Sequence, residues 1–514
     1  MTNRKSATTL RRLSFVCSLG SVALVLLACS SKEAPGTVDP PGGTGASPAT
    51  GGSAASSAGG PGSSAGSISL GGVGTEPGTG GPCQGLACAV PSCVGMPKTT
   101  ITGKVYDPAG KVPLYNVLVY VPNSPVEPFT EGATCDRCDA KVLNPVTSAV
   151  TDETGGFVLT DAPAGANIPL VIQVGKWRRQ LVVPNVAGCA DTALTDPQVT
   201  RLPRNKAEGD IPRMAIAVGG ADQLECLPLR MGVDPAEFTP ASGDGRIHLY
   251  VGGYRRNARD HVPVTAFDAA HGGGAITAAT ELWSTKESLM KYDIALLSCE
   301  GGENEQEKPM TARQAMYDYA AAGGRVFASH WHAIWFGNGP DPVPSTGTWL
   351  RRPINPAGTR QNPNGDGTPQ PGTINQSFPK GEALAKWLLN VGASTAQGSM
   401  ELTYPRDDIQ AVNAEVAREW ITVNNPNYAD APKAVQYMSF NAPIGAPEDQ
   451  ICGRAVFTDL HVASIDDNSE ANALGFPASC EMRELSAQEK AVAFMLFDLS
   501  ACVQNEDVPP KPPK

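Results

Sequence analysis

GGRVFASHWHAIWF, residues 323–336, carries the pattern that decides the fold of the second half of this chain. After Gly323 and Gly324 comes a short apolar run that includes Val326 and Phe327. Bounded by a turn signal, it reads as a buried strand. The run stops on Ser329-His330-Trp331-His332, so two of the six histidines in 514 residues stand one position apart. Just before it, TARQAMYDYAAAGG (311–324) has the apolar spacing of a helix and the Gly-Gly ending of a C-cap. A helix that delivers a buried strand is one step of an alternating α/β chain.

The alternation extends in both directions. RMAIAVGG (213–220), GRIHLYVGG (245–253) and DIALLSCEGG (293–302) read as strands, and LWSTKESLMKY (282–292) as the helix leading into the third. AVQYMSF (434–440) and CGRAVFTDLHV (452–462) follow as strands. SAQEKAVAFMLFDLSACV (486–503) is a terminal helix that Phe494, Leu496, Phe497 and Leu499 make largely buried. Residues 210–503 are expected to form an α/β domain with a mainly parallel sheet covered on both faces. Ligands bind such sheets at the carboxyl ends of the strands. His330, His332 and His461 fall at that edge, with Glu300 and Glu303 after the third strand. Positions i and i+2 share a strand face, so His330 and His332 should converge. One reading is a divalent metal such as zinc held by His330, His332 and His461; another is acid–base catalysis by His330, His461 and Glu300. Hydrogen-bonded strand-end histidines, or the vestige of a lost site, would give the same pattern.

Tyr292-Asp293 leads to the Gly301-Gly302 loop, and a helix ending Gly-Gly precedes the next strand. Gly453-Arg454 through His461 has the form G-R-x-x-x-T-x-x-H. These features resemble the class I glutamine amidotransferase-like fold, especially its trehalose-utilisation-like branch. The resemblance implies a nucleophilic cysteine near Ser329-His330 and a triad acid two residues after the histidine. No cysteine stands at the first place, and the second is Ala463. Without a thiolate there the covalent step is missing. The domain is expected to be degenerate, and glutamine amidotransferase activity is not expected.

Residues 83–207 have no helical period. TTITGKVYDPAGKVPLYNVLVYVPN reads as paired strands about a Pro-Ala-Gly turn, AVTDETGGFVLTDAPAG turns at Asp152–Gly156, and IPLVIQVGKWRRQLVV breaks at Gly175. A small antiparallel β-sandwich is expected. Gly103, Val105 and Asp107 (G-x-V-x-D), Thr151-Asp152 with Gly155 and Phe157, and Pro163-Ala164-Gly165 resemble the carboxypeptidase regulatory-like, or transthyretin-like, family over Ile101–Val183. That family implies an accessory module with no catalytic residue, and neither H-x-x-E nor H-E-x-x-H occurs. Lys176-Trp177-Arg178-Arg179 reads as an exposed hairpin strand or, alternatively, a binding patch.

Residues 1–28 read as a secretory signal: Arg4, Lys5, Arg11 and Arg12, then LSFVCSLGSVALVLLA. Leu26-Leu27-Ala28-Cys29 resembles the lipobox of bacterial lipoproteins, which implies acylation of Cys29 and anchoring in the cell envelope, with the outer membrane as expected location. Residues 29–82 are a flexible Gly/Ser/Ala/Pro tether expected to be disordered. Its Gly62-Ser63-Ser64-Ala65-Gly66 matches a hydrolase elbow by composition alone. Residues 504–514 form a Pro/Lys tail. Loss of the signal takes the net charge from −11 to −15, which excludes nucleic acid as a natural partner.

Eleven of thirteen cysteines remain after Cys17 and Cys29 are set aside. In an exported chain they are expected to form disulfides, Cys135-x-x-Cys138 included, rather than a zinc site. Strand direction places Cys452 and Cys502 at one end of the sheet and Cys299 and Cys480 at the other. These make the expected pairs, leaving Cys226 free. The long Pro/Gly/Asn segment 337–379, with Trp349, Arg351 and Arg352, fits a ligand site. Asn362–Gly367 echoes a calcium loop, but Thr373 stands where Glu belongs, so turn chemistry explains it. The leading expectation is a lipid-anchored protein that binds a small molecule, carbohydrate or protein, with the β-sandwich as spacer. The alternatives are a metal-assisted hydrolase of a carbohydrate or cell-wall amide, and a structural surface protein.

Overall fold

A computed structural model describes residues 83–140, 144–254, 260–350, 368–425, 432–462 and 468–512. The signal, Cys29, the tether with Gly62–Gly66, Arg351, Arg352, Asn362–Gly367 and Ala463 lie outside the described residues. The fold is mostly β, in several sheets, with some helices.

The first part supplies β1 (Thr100–Lys104), β2 (Leu118–Pro122), β3 (Pro145–Val150), β4 (Gly156–Thr160), β5 (Gly165–Val174), β6 (Trp177–Val186) and β7 (Asp191–Leu194). They form a sheet ordered β4-β1-β7 and another ordered β3-β2-β5-β6. The strands flanking Pro108-Ala109-Gly110 were expected to pair with each other, but β1 and β2 enter different sheets. The side chain of Asp107 accepts from the backbone N–H groups of Lys111 and Val112 (2.8 and 3.1 Å), so the turn is closed upon itself. β7 runs parallel to β1, which departs from a purely antiparallel arrangement. Asp152 closes the expected turn by accepting from the N–H of Thr154 and Gly156, and β5 and β6 form the hairpin at Gly175.

That hairpin is not an exposed patch. Trp177 is fully buried and meets Phe497 edge-on at 6.1 Å. Lys176 pairs with Asp293 at 2.6 Å and Arg178 with Asp210 at 2.8 Å. A Cβ on Gly175 would lie 1.8 Å from the carbonyl oxygen of Ser500, so only glycine admits this contact. Tyr115 stacks on Phe494 at 5.6 Å. The first part therefore shares a hydrophobic core with the second, rather than standing off as a spacer.

The second part adds β8 (Met214–Val218), β9 (Phe238–Thr239), β10 (Ile247–Val251), β11 (Thr277–Ala278), β12 (Ile294–Leu297), β13 (Arg325–Ser329), β14 (Gly347–Trp349), β15 (Gln370–Ile374), β16 (Ser399–Leu402), β17 (Ile409–Val412), β18 (Ala417–Asn424), β19 (Lys433–Ala442) and β20 (Gly453–Thr458). The main sheet is ordered β11-β10-β8-β12-β13-β20-β19-β18-β15-β16, with β9 beside β10 and β14 paired separately to β17. From β11 to β20 the neighbours are parallel. From β20 to β16 they are antiparallel, so the sheet is mixed rather than mainly parallel. Apolar runs such as AVQYMSF report burial and carry no direction, which is why the sequence did not show the reversal.

Helix α1 (Met310–Ala321) ends before Gly323, whose φ is +119°, as the Gly-Gly signal implied. Helix α2 (Pro379–Asn390) and helix α3 (Ala487–Ser500) pack together, and α3 is buried from Ala491 to Ser500. Each large apolar side chain buried there contributes about 1.5–3 kcal/mol. Ser486 and Glu489 cap α3 reciprocally. Arg454, within the G-R-x-x-x-T run, is buried against Asp498 of α3 at 2.9 Å and also pairs with Glu506. This arginine ties β20 to the terminal helix.

Five disulfides are formed among the described residues: Cys83–Cys88, Cys93–Cys189, Cys135–Cys452, Cys138–Cys502 and Cys226–Cys480. The expected Cys452–Cys502 pair is not made, because the Cys135–Cys138 loop docks at that end of the sheet and takes one cysteine from each element. The expected Cys299–Cys480 pair is not made either. Cys480 bonds Cys226 at the start of the short helix Cys226–Arg230, and Cys299 is the free, buried cysteine.

Candidate metal centre

β12, β13 and β20 are adjacent and parallel, so their carboxyl ends lie side by side. Cys299 follows β12 by two residues, His330 follows β13 directly, and His461 lies three beyond β20. Cys299 Sγ is 3.3 Å from His330 Nδ1, which is 3.2 Å from His461 Nε2. The three ligand atoms all fall within 4.8 Å of one another and belong to buried residues. A thiolate and two imidazoles suit a zinc-type ion, whose ligands at about 2.0–2.3 Å sit about 3–4 Å apart. The three residues could together hold a metal ion.

The local backbone explains this convergence. β13 stops at Ser329, whose hydroxyl donates to Asp222 Oδ2 at 2.9 Å, and His330 takes a left-handed φ of +42°. The other Asp222 oxygen accepts from the Val462 N–H at 2.9 Å, which fixes the chain just past His461. Gln488 of α3 donates to the His461 carbonyl at 2.9 Å. Asp408, just before β17, places Oδ2 3.5 Å from His330 Nε2, on the ring edge away from Cys299.

His332 does not join the set, and the expected His330/His332/His461 triad is corrected to Cys299/His330/His461. The i, i+2 argument presumes a continuing strand, but His330–Ala333 wind into a 3-10 turn. His332 Nε2 donates to the Ser298 carbonyl at 2.9 Å, and its Nδ1 accepts from the Trp335 indole N–H at 2.8 Å. Both ring nitrogens are thereby committed. Burial, with Lys308 nearby, holds its pKa well below the usual histidine range, so the ring stays neutral.

Glu300 stands next to Cys299, but its carboxylate turns towards Lys308. The pair is 2.6 Å long and 1% exposed at both ends. Glu300 Oε1 lies 3.6 Å from His332 Nε2. The expected catalytic group of His330, His461 and Glu300 is therefore split: the histidines meet, and Glu300 belongs to the neighbouring Lys308–His332 cluster. Glu303 lines a cavity that Glu300 also borders. Trp349 packs on Phe336 and Phe457, so in the described part of segment 337–379 its ring serves the core. The residue that sequence reasoning missed is Cys299. It stands at the ligand edge of its strand, a signal that was available.

No family model matches the chain, and no curated protein matches it. Two solved structures are similar to part of it, a C-terminal and an N-terminal interface mutant of a type II cohesin–X-dockerin complex from Acetivibrio cellulolyticus. The first is 18% identical, covers 29% of this chain and 79% of its own, and has a TM-score of 0.14. The second is 16% identical over 26% of this chain and 85% of its own, with a TM-score of 0.16. At those TM-scores neither fold nor function carries over.

Proposed function

We propose that this chain is an exported cell-envelope protein, lipid-anchored through Cys29 in the outer membrane, and a metal-assisted hydrolase of a carbohydrate or cell-wall amide. The hydrolase reading rests on the convergence of Cys299, His330 and His461. Three protein ligands leave a fourth position for water, the pattern of catalytic rather than structural zinc sites. A zinc ion held there would supply Lewis acidity and lower the pKa of bound water to about 7. The chain's own part is to hold His330 at the left-handed elbow after β13 and to keep Lys308 and Glu300 beside the site.

In this reading the two small sheets are a carboxypeptidase regulatory-like β-sandwich, and the main sheet with its helices is a degenerate amidotransferase-like α/β domain. The elbow after β13 supports the second assignment, with His330 standing where that fold carries its nucleophile. A second reading is favoured by the 3.3 Å contact of Cys299 with His330. The thiol would then be a nucleophile and the imidazole its base, supplied from the neighbouring strand.

Elemental analysis of the whole chain, purified without chelator, separates the two. We expect about one zinc per chain, below a tenth of that in Cys299→Ser and His330→Ala, and no loss in His332→Gln. A metal-free chain whose Cys299 is alkylated at a His330-dependent rate would replace the hydrolase by the thiol reading. A metal-free, inert Cys299 would leave only a ligand-binding role. The anchor has its own check. Cys29→Ser should move the protein from the membrane to the soluble fraction, and retention of the variant on membranes counts against acylation.

A further inference from the structure

Lys380 is a buried amine in an unfavourable place. It stands in the first turn of α2 with its side chain 1% exposed, facing Asp498 of α3, which is 2% exposed. Nζ lies 2.7 Å from Asp498 Oδ1, and Glu506 Oε1 is 4.0 Å from the same nitrogen. Yet Nζ and Oδ1 are not aligned for a hydrogen bond, and Nζ has no other acceptor among the described residues. The molecule supplies its own control. Lys308 and Glu300 form an equally buried pair at 2.6 Å, and there the amine donates to the carboxylate and to the Glu303 carbonyl. A buried ion pair this close ordinarily satisfies its donors, because a donor left unsatisfied there is costly. At Lys380 the nitrogen is set against the carboxyl group without donating to it.

The surroundings disfavour the ammonium form. Burial, and after it the charge of Arg454, push the Lys380 pKa down to about 8. The positive end of the α2 dipole acts in the same direction. Arg454 Nη1 is 2.9 Å from Asp498 Oδ2, and the same guanidinium pairs with Glu506. One oxygen of Asp498 is thus held while the other faces the amine. We propose that Lys380 and Asp498 condense to an intramolecular isopeptide bond, with Glu506 as proton relay and Arg454 holding the oxygen that stays. Nζ attacks Cγ, and the Cγ–Oδ1 bond breaks. Although burial opposes it, the charges of Arg454 and Lys380 hold Asp498 ionised, below the usual carboxylate range. The protons that make Oδ1 a leaving group therefore come from Nζ. Of the three ammonium protons one stays on the amide nitrogen, and two depart with Oδ1 as water, relayed by Glu506. Oδ2 bears the charge that develops in the tetrahedral intermediate, where Arg454 stabilises it. The balance needs no oxidant, reductant or co-reactant. Condensation also removes one cation and one anion from the interior, where attraction offsets desolvation poorly. The bond fastens α2 to α3 covalently, and it is independent of the metal centre.

Peptide mapping of the unaltered whole chain tests the bond, so no variant has to fold for the test to decide. Trypsin does not cut at an acylated lysine. After reduction, alkylation and digestion, residues 361–386, uncut at Lys380, should appear joined to residues 491–514 with the loss of one water. Fragmentation of that species should place the branch at Lys380 and Asp498. Cleavage after Lys380 together with an unbranched 491–514 fragment overturns the proposal, and so does a branch at any other pair of residues. The relay is read separately. Glu506→Gln keeps the shape of the side chain and should leave the joined species at least ten-fold less abundant than in the unaltered chain. Full joining in that variant overturns the role of Glu506.

Discussion

Replacing Cys135, Cys138, Cys452 and Cys502 together by serine should leave the body largely unfolded at 37 °C, whereas removing either bond alone should cost it only part of its stability. The bonds Cys135–Cys452 and Cys138–Cys502 span 317 and 364 residues. With one intact, however, the other closes a ring running only through residues 135–138 and 452–502, on the order of 50 residues. Loop-closure entropy then makes either single loss worth about 2–4 kcal/mol, and loss of both about 6–9 kcal/mol, since the last bond removed opens a larger ring, on the order of 120 residues, that runs through the intact Cys226–Cys480 bond. A margin of roughly 5–15 kcal/mol survives the first and is largely consumed by the second. Urea unfolding followed by circular dichroism would read the difference. A fourfold variant no weaker than Cys135→Ser/Cys452→Ser would mean that only one bond bears on folding. Non-reducing peptide mapping should also join Cys226 to Cys480 and leave Cys299 unpaired.

That clamp also shows which parts of this fold the sequence made legible. Strand-forming runs were readable because burial leaves continuous apolar segments, and β8, β10, β12, β13 and β20 fall where those runs predict. The meeting of His330 and His461 was readable because parallel strands end on one side. Pairing over more than 300 residues was not, because nothing in Cys135-Asp136-Arg137-Cys138 reveals that each thiol faces a different element. The same gap hid the metal set. Cys299 was assigned to Cys480 by sheet end alone, and the 3-10 turn that withdraws His332 depends on Ser298 and Trp335, partners distant from the strand pattern. The reversal after β20 was likewise invisible, since β19 is as apolar as a parallel strand. Side-chain chemistry at the edge was thus recoverable in kind, but its membership was set by tertiary contacts.

Glu225→Gln should stabilise the protein at pH 8.5 and change little at pH 4. Glu225 stands at the N-cap position of the short helix Cys226–Arg230 without capping it through its side chain, is fully buried, and takes no hydrogen bond from another residue onto its carboxylate. Desolvation, reinforced by the charge of Asp222, pushes its pKa from 4.5 up to about 8. A folded-state value above the unfolded one means that the native state binds the extra proton. The resulting stability is fully present below pH 4.5 and is lost progressively as pH rises to about 8. The wild-type chain must then bury a bare carboxylate or leave its proton on at a cost, on the order of 3–5 kcal/mol by pH 8.5. Glutamine keeps the shape without the titration. Asp107, raised to about 6, tilts the curve over part of the same range, but it does so in both proteins and cancels in the comparison. The measurement is the urea midpoint of each protein from pH 4 to 8.5. Two curves that stay parallel across that range would mean that Glu225 finds a cation when ionised, with Arg230 the nearest candidate, and that its carboxylate costs the fold nothing.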